Sequence, residues 1–111
     1  MDKSGNKSQD NTQFLYLLKE GKSIVAGLDM QIIDNETASI GFWQDVNKSG
    51  YMTNSVLRLI EDARIRGLKV IDAYVDLDNL RAMNVLKRTG FSYKGVVEGK
   101  TRPLKKFVLF L

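Results

Sequence analysis

A switch of hydrophobic period partway along the chain constrains its fold more than any other feature. From Gln13 to Trp43 the apolar residues fall in short runs. Phe14 to Leu18 is closed by Glu20-Gly21-Lys22. Ser23 to Asp34 then sets Leu28, Met30 and Ile32 against Asp29 and Gln31, and Thr37 to Trp43 sets Ile40 and Phe42 on one face. Period two predicts strands with one buried face, and the short connections predict an antiparallel meander. Beyond Gly50 the period lengthens: Met52, Val56, Leu59, Ile60 and Ala63 predict a helix over 52–66 that stops at Gly67. The β-branched run Val70 to Val75 is a buried strand, so strand, helix and strand require a parallel, right-handed crossover. Asp78 or Asn79 can cap a second helix, Leu80 to Thr89, whose inner face carries Leu80, Met83 and Leu86 before Gly90 ends it. Strands over Phe91–Glu98 and Lys105–Leu111 close the chain. The order β-β-β-α-β-α-β-β is a mixed α/β (α+β) fold: a mixed sheet with a meander, a β-α-β crossover and a C-terminal hairpin.

The 111 residues make one domain over 13–111, preceded by a polar stretch, 1–12, that predicts a disordered tail. Cysteine and histidine are both absent. Disulfides, thiolate metal sites and a cysteine nucleophile are thereby excluded, and no metal site is expected. Acid–base chemistry is left to carboxylates, Tyr, Lys or water. The net charge of +4 is small and dispersed. The densest basic stretch, Lys100, Arg102, Lys105 and Lys106, reads as solvated hairpin residues or as ligands for a small anion, not as a nucleic-acid surface. With no apolar run of membrane length and no signal-peptide pattern, the expectation is a cytoplasmic protein with no membrane partner.

The junction from Trp43 to Thr53 carries chemistry. A strand runs through a Gly50-containing loop straight into a helix, whose first N–H groups lack intrahelical partners and carry partial positive charge. This suits a phosphate or pyrophosphate, with Gly50 allowing close approach and Lys48 adding a cation. Many such turns bind nothing, so the loop alone assigns no ligand.

The stretch IGFWQDVNKSGYMTNSVLRLI, through Ile40, Gly41, Phe42, Trp43, Gly50, Tyr51, Met52 and Thr53, resembles the coenzyme-binding segment of the GNAT superfamily of N-acetyltransferases, especially the branch that acetylates ribosomal-protein N-termini. A second match lies downstream in VDLDNLRAMNVLKRTGF, through Val75, Asn79, Ala82, Val85, Leu86, Arg88, Gly90 and Phe91. The resemblance runs from Gln13 to Leu111. It implies an acetyl-CoA-dependent transfer of acetyl to a primary amine of a protein N-terminus or a small molecule. It also implies that the third strand and the Val70–Val75 strand splay apart around the pantetheine arm. Phe42, Trp43 and Gln44 would bond that arm, and Lys48, Ser49, Gly50, Tyr51, Met52 and Thr53 would form the pyrophosphate loop. Asn79 would touch the pantetheine, although as a residue it also reads as a helix cap. Arg88 would approach a phosphate, although it also reads as a cation at a helix C-terminus.

The sequence departs from the family pattern in three places. Asn47 and Lys48 stand where the loop usually opens with Gln or Arg and then Gly. Ser39 replaces a frequent Glu, and Ala82 and Leu86 occupy the positions of the usual Ser or Tyr proton donors, so no catalytic residue is assigned. Tyr74, Tyr93, Glu98 and Asp72 are present, but nothing in the sequence places them at a thioester. The family's first strand and two helices have no counterpart before Gln13. That leaves an uncovered edge strand, which predicts a homodimer or, alternatively, marks the sequence as a fragment of a longer product or a degenerate relict. The alternative function is a catalytically degenerate CoA-binding or dimerisation module.

Overall fold

A computed structural model describes residues 13–44 and 49–111. The expected tail over 1–12 and the loop residues Asn47 and Lys48 lie outside the described residues. The elements are β1 (Gln13–Glu20), β2 (Ser23–Ile32), β3 (Thr37–Gln44), α1 (Ser49–Ile65), β4 (Val70–Asp76), α2 (Leu80–Arg88), β5 (Ser92–Glu98) and β6 (Pro103–Phe110). This is the expected order. The strands form one sheet, β1-β2-β3-β4-β6-β5, in which only β3 and β4 pair in parallel.

Alternation decides the two faces of the sheet. Leu28 and Met30 of β2, Ala38 and Ile40 of β3, Ile71, Ala73 and Val75 of β4, and Phe107 of β6 all point to one side and are buried. Against them α1 lays Met52, Val56, Leu59, Ile60 and Ala63, a stripe at i, i+4, i+7, i+8 and i+11. Burying such side chains is worth roughly 1.5–3 kcal/mol each, so this stripe fixes where α1 lies. Gly67 and Gly90 follow the two helices at φ 85° and 102°, the left-handed region in which glycine ends helices cheaply.

Two expectations change. The Ser49-Gly50-Tyr51 segment, expected as loop, is the first turn of α1; glycine costs most in a helix interior and less at its end. In α2 the buried residues are Ala82, Met83, Val85 and Leu86, whereas Leu80, expected inside, is 68% exposed. Centring the buried stripe on 82–86 rotates the first helical position away from the sheet.

The edge strand β1 is tied to α1 by polar contacts. The Tyr16 hydroxyl donates to Asp62 Oδ2 at 2.7 Å, and the Arg66 guanidinium lies 3.9 Å from the centre of the Phe14 ring. Burial, the hydrogen bond to Asp62 and that carboxylate's charge together push the Tyr16 phenol well above its ordinary range. No helix among the described residues is long and apolar enough to cross a membrane.

Candidate functional site

The sheet has a gap at its centre. Parallel pairing of β3 with β4 runs from Thr37 beside Val70 to Ile40 beside Ala73 and ends there. Both strands continue. β3 stays paired with β2 as far as Gln44, and β4 stays paired with β6 as far as Asp76. Gly41 to Gln44 and Tyr74 to Asp76 thus keep their outer partners and lose each other. Backbone groups along the two inner edges are left to a ligand or to solvent.

A cleft of about 220 Å³ opens there, lined by Gly41, Phe42, Tyr74, Val75, Asp76, Asn79, Arg102 and Leu104. Its lining comes from both faces of the sheet. Phe42 and Val75 share the helix-bearing side; Gly41, Tyr74 and Leu104 share the other. The cleft therefore passes between the strands. Tyr74 and Leu104 also line a second depression of about 480 Å³, with Val97, Glu98, Gly99, Lys100 and Lys106, so these two residues separate the spaces.

The expected coenzyme residues distribute as follows. Phe42 lines the cleft, and Trp43 and Gln44 continue the same unpaired edge of β3. Ser49, Gly50, Tyr51, Met52 and Thr53 open α1, which leaves the first-turn N–H groups without helical partners. Lys48 lies outside the described residues. Met52 points into the core. Thr53 Oγ1 is buried with no hydrogen-bond partner among the described residues, a polar atom waiting for an acceptor or donor. Asn79 caps α2, its Oδ1 accepting from Ala82 N at 3.2 Å, and the same residue lines the cleft. The cap is observed, and the same residue lines the space that the resemblance assigns to the pantetheine arm. Arg88 is exposed in the last turn of α2, about 13 Å along the axis from Asn79 at 1.5 Å per residue, and does not line the cleft. There it faces the negative end of the helix dipole.

The other lining residues are not assigned to the coenzyme by the sequence: Arg102 reads as a hairpin residue or a small-anion ligand, and Tyr74 is left unplaced. Arg102, from the β5–β6 hairpin, pairs with Asp76 at the end of β4; its Nη1 lies 3.3 Å from Thr101 Oγ1. The hydrogen bond to Asp76 raises an already permanent cation further. Gly41 stands at the first unpaired position of β3. The signal for Tyr74 and Leu104 was their alternation with buried neighbours, which gives a face but not a place beside a gap. Among the described residues no cluster of three metal-binding side chains occurs.

This frame fits an extended, amide-bearing arm with a phosphate at one end. The two inner strand edges offer donors and acceptors along the gap, and the first turn of α1 offers N–H groups beyond the end of β3.

The fold is shared with solved acetyltransferases. It is similar to the microcin self-immunity acetyltransferase MccE in complex with acetyl-CoA and AMP, at 24% identity and a TM-score of 0.77 over 93% of this chain and 63% of that one. It is similar to the ribosomal-protein α-N-acetyltransferase RimL in complex with coenzyme A, at 19% identity and 0.78 over 93% and 64%. A variant of the spermidine N-acetyltransferase SpeG from Vibrio cholerae matches at 16% identity and 0.72 over 91% and 67%. The chain thus spans just under two thirds of the length of MccE and RimL. A search of curated proteins returns no significant match. A family model described as acetyltransferase (GNAT) domain matches residues 3–92, most of the sequence, and on that match the chain belongs to the GNAT acetyltransferase domain family.

Proposed function

We propose that the chain binds acetyl-CoA in the gap between β3 and β4 and transfers the acetyl group to a primary amine of a protein N-terminus or a small molecule. The observation that carries the reading is the loss of pairing after Ile40 and Ala73 while both outer ladders continue. Phe42 to Gln44 would bond the pantetheine as a missing strand would, Asn79 would hold it from α2, and the first turn of α1 would take the pyrophosphate. Acetyl-CoA supplies the activated acyl group. The chain's own residues orient it, exclude water along the arm and present the amine, and orientation alone can supply a large part of the rate. In this reading the chain is cytoplasmic and pairs with a second copy through β1, whose Leu15 and Leu17 are 59% and 42% exposed.

One observation favours the second reading, a CoA-binding module without turnover. Ala82 and Leu86, where the family places hydroxyl donors, are buried in the core and carry no proton to give. Calorimetric titration with acetyl-CoA followed by an assay of free thiol with a panel of amines separates the two. Binding with thiol release supports transfer, and binding with no release on any amine supports the module. No binding at millimolar coenzyme rejects both.

A further inference from the structure

Asp29 lies on β2, directly across from Gly41 and on the face that carries no described helix. Gly41 is the first residue of β3 past the paired stretch, and it lines the cleft. Asp29 Oδ1 accepts the Gly41 N–H at 3.1 Å. That oxygen fills the space of the missing side chain: a Cβ built on Gly41 would stand 2.8 Å from it. The absent side chain at 41 is what lets a carboxylate from β2 lie over β3, against a residue that lines the gap. An ionised carboxylate has about four lone-pair sites, and the Gly41 N–H takes one, so capacity remains for a second donor. Ser39, where the family pattern leads one to expect Glu, shares this face, paired with Gln31 on one side and Asp72 on the other. The carboxylate missing from β3 is thus present one strand over, two positions nearer the gap. Tyr74 stands on the opposite wall.

We propose that Asp29 is the acceptor-amine site of this chain. Its carboxylate binds the ammonium of a primary amine at the mouth of the β3–β4 gap, on the face with no described helix, and takes the proton that nitrogen must shed before attack. The inference rests on the acetyl-transfer reading above. At neutral pH an α-amine with a pKa of about 8, like an alkylamine with a pKa of about 10, is mostly an ammonium, which pairs with a carboxylate but has no lone pair to offer. One proton passes to Asp29 and on to water. The freed nitrogen pair forms the C–N bond and the C–S bond breaks with its pair to sulfur. The nitrogen's surplus proton ends on the thiol. Ammonium and thioester become amide, thiol and one released proton.

The test uses the whole chain. Asp29→Asn keeps shape and an acceptor for the Gly41 N–H but removes the charge. Gly41→Ala keeps the charge but pushes the carboxylate aside. Asp29→Glu restores charge with a longer reach. Coenzyme affinity is followed by calorimetry, and the amine by the KM for glycinamide. A readout independent of turnover is the Gly41 amide resonance, titrated with glycinamide and with its neutral N-acetyl form. The expected result is a rise in amine KM of about 10- to 100-fold in Asp29→Asn and Gly41→Ala, the worth of one hydrogen bond to a charged group, partial recovery in Asp29→Glu, and unchanged coenzyme affinity in Asp29→Asn. The Gly41 amide should move with glycinamide alone, and not in Asp29→Asn. An unchanged KM in both variants, or an amide that ignores the ammonium, would overturn the proposal. If the parent releases no thiol with any amine, the transfer reading fails, and the amide titration still decides whether Asp29 binds the ammonium.

Discussion

Asn79 holds two duties that substitutions can pull apart. Its side chain caps α2 and its position lines the cleft. Asn79→Ala should cost about 1 kcal/mol in urea unfolding, the usual loss of a cap, and should also weaken coenzyme binding. Asn79→Ser keeps a capping oxygen, so stability should stay near the parent while the calorimetric affinity falls; equal affinity in Asn79→Ser would leave the residue a cap alone. Tyr16 makes a different prediction. Its phenol titrates higher in the folded chain than in the unfolded one, whose ordinary value is about 10. Below pH 10 both forms keep the proton and the contribution is whole. Above it the unfolded chain ionises first, so stability falls as pH rises toward the folded value. Tyr16→Phe should lose about 1 kcal/mol at pH 7 with the hydrogen bond to Asp62, and its alkaline unfolding curve should be flatter than the parent's between pH 10 and 12.

At the scale of elements, α1 joins the core to the candidate site. Leu59, fully buried at its centre, is held by the stripe that orients the helix. Leu59→Ala should cost about 2–5 kcal/mol in chemical unfolding, enough to threaten a domain of this size. Gly50→Val, in the first turn, should instead leave the fold and remove coenzyme binding measured by calorimetry, by crowding the N–H groups offered to the pyrophosphate. The elements were legible because their periods are clean: Leu28, Met30 and Ile32 alternate, and Met52 to Ala63 recur at helical spacing. Leu80 was misplaced because a nine-residue helix offers too few turns to fix the centre of its stripe. The start of α1 was misplaced because a glycine before a helix reads equally as loop or first turn. The gap itself was reached only through a resemblance, since Gly41–Gln44 and Tyr74–Asp76 are locally ordinary strand. Asp29 was read as a solvent-side residue, and its neighbour across the ladder, Gly41, follows only from the β2–β3 register, which no local pattern contains.

At the scale of the molecule, the exposed leucines of β1 make the oligomeric state measurable. Sedimentation should show a dimer whose population falls on dilution, and Leu15→Lys with Leu17→Lys should give a monomer that keeps coenzyme affinity. The sheet also has a mechanical character that follows from where pairing ends. It is two three-stranded plates, β1-β2-β3 and β4-β6-β5, stitched by a seam only as long as Thr37 to Ile40. Each plate is laddered along its length, with one bulge at Leu18–Lys19 and one at Tyr93–Gly95, so flexing concentrates at the seam and at its open end. A molecule lying in that slot would bridge both plates and act as a splint. Amide exchange at Gly41, Phe42, Tyr74 and Val75 should therefore be fast in the free chain and slow with ligand, while Leu28 and Phe107, inside the plates, barely respond. Stiffness, then, is something this domain would gain from what it holds.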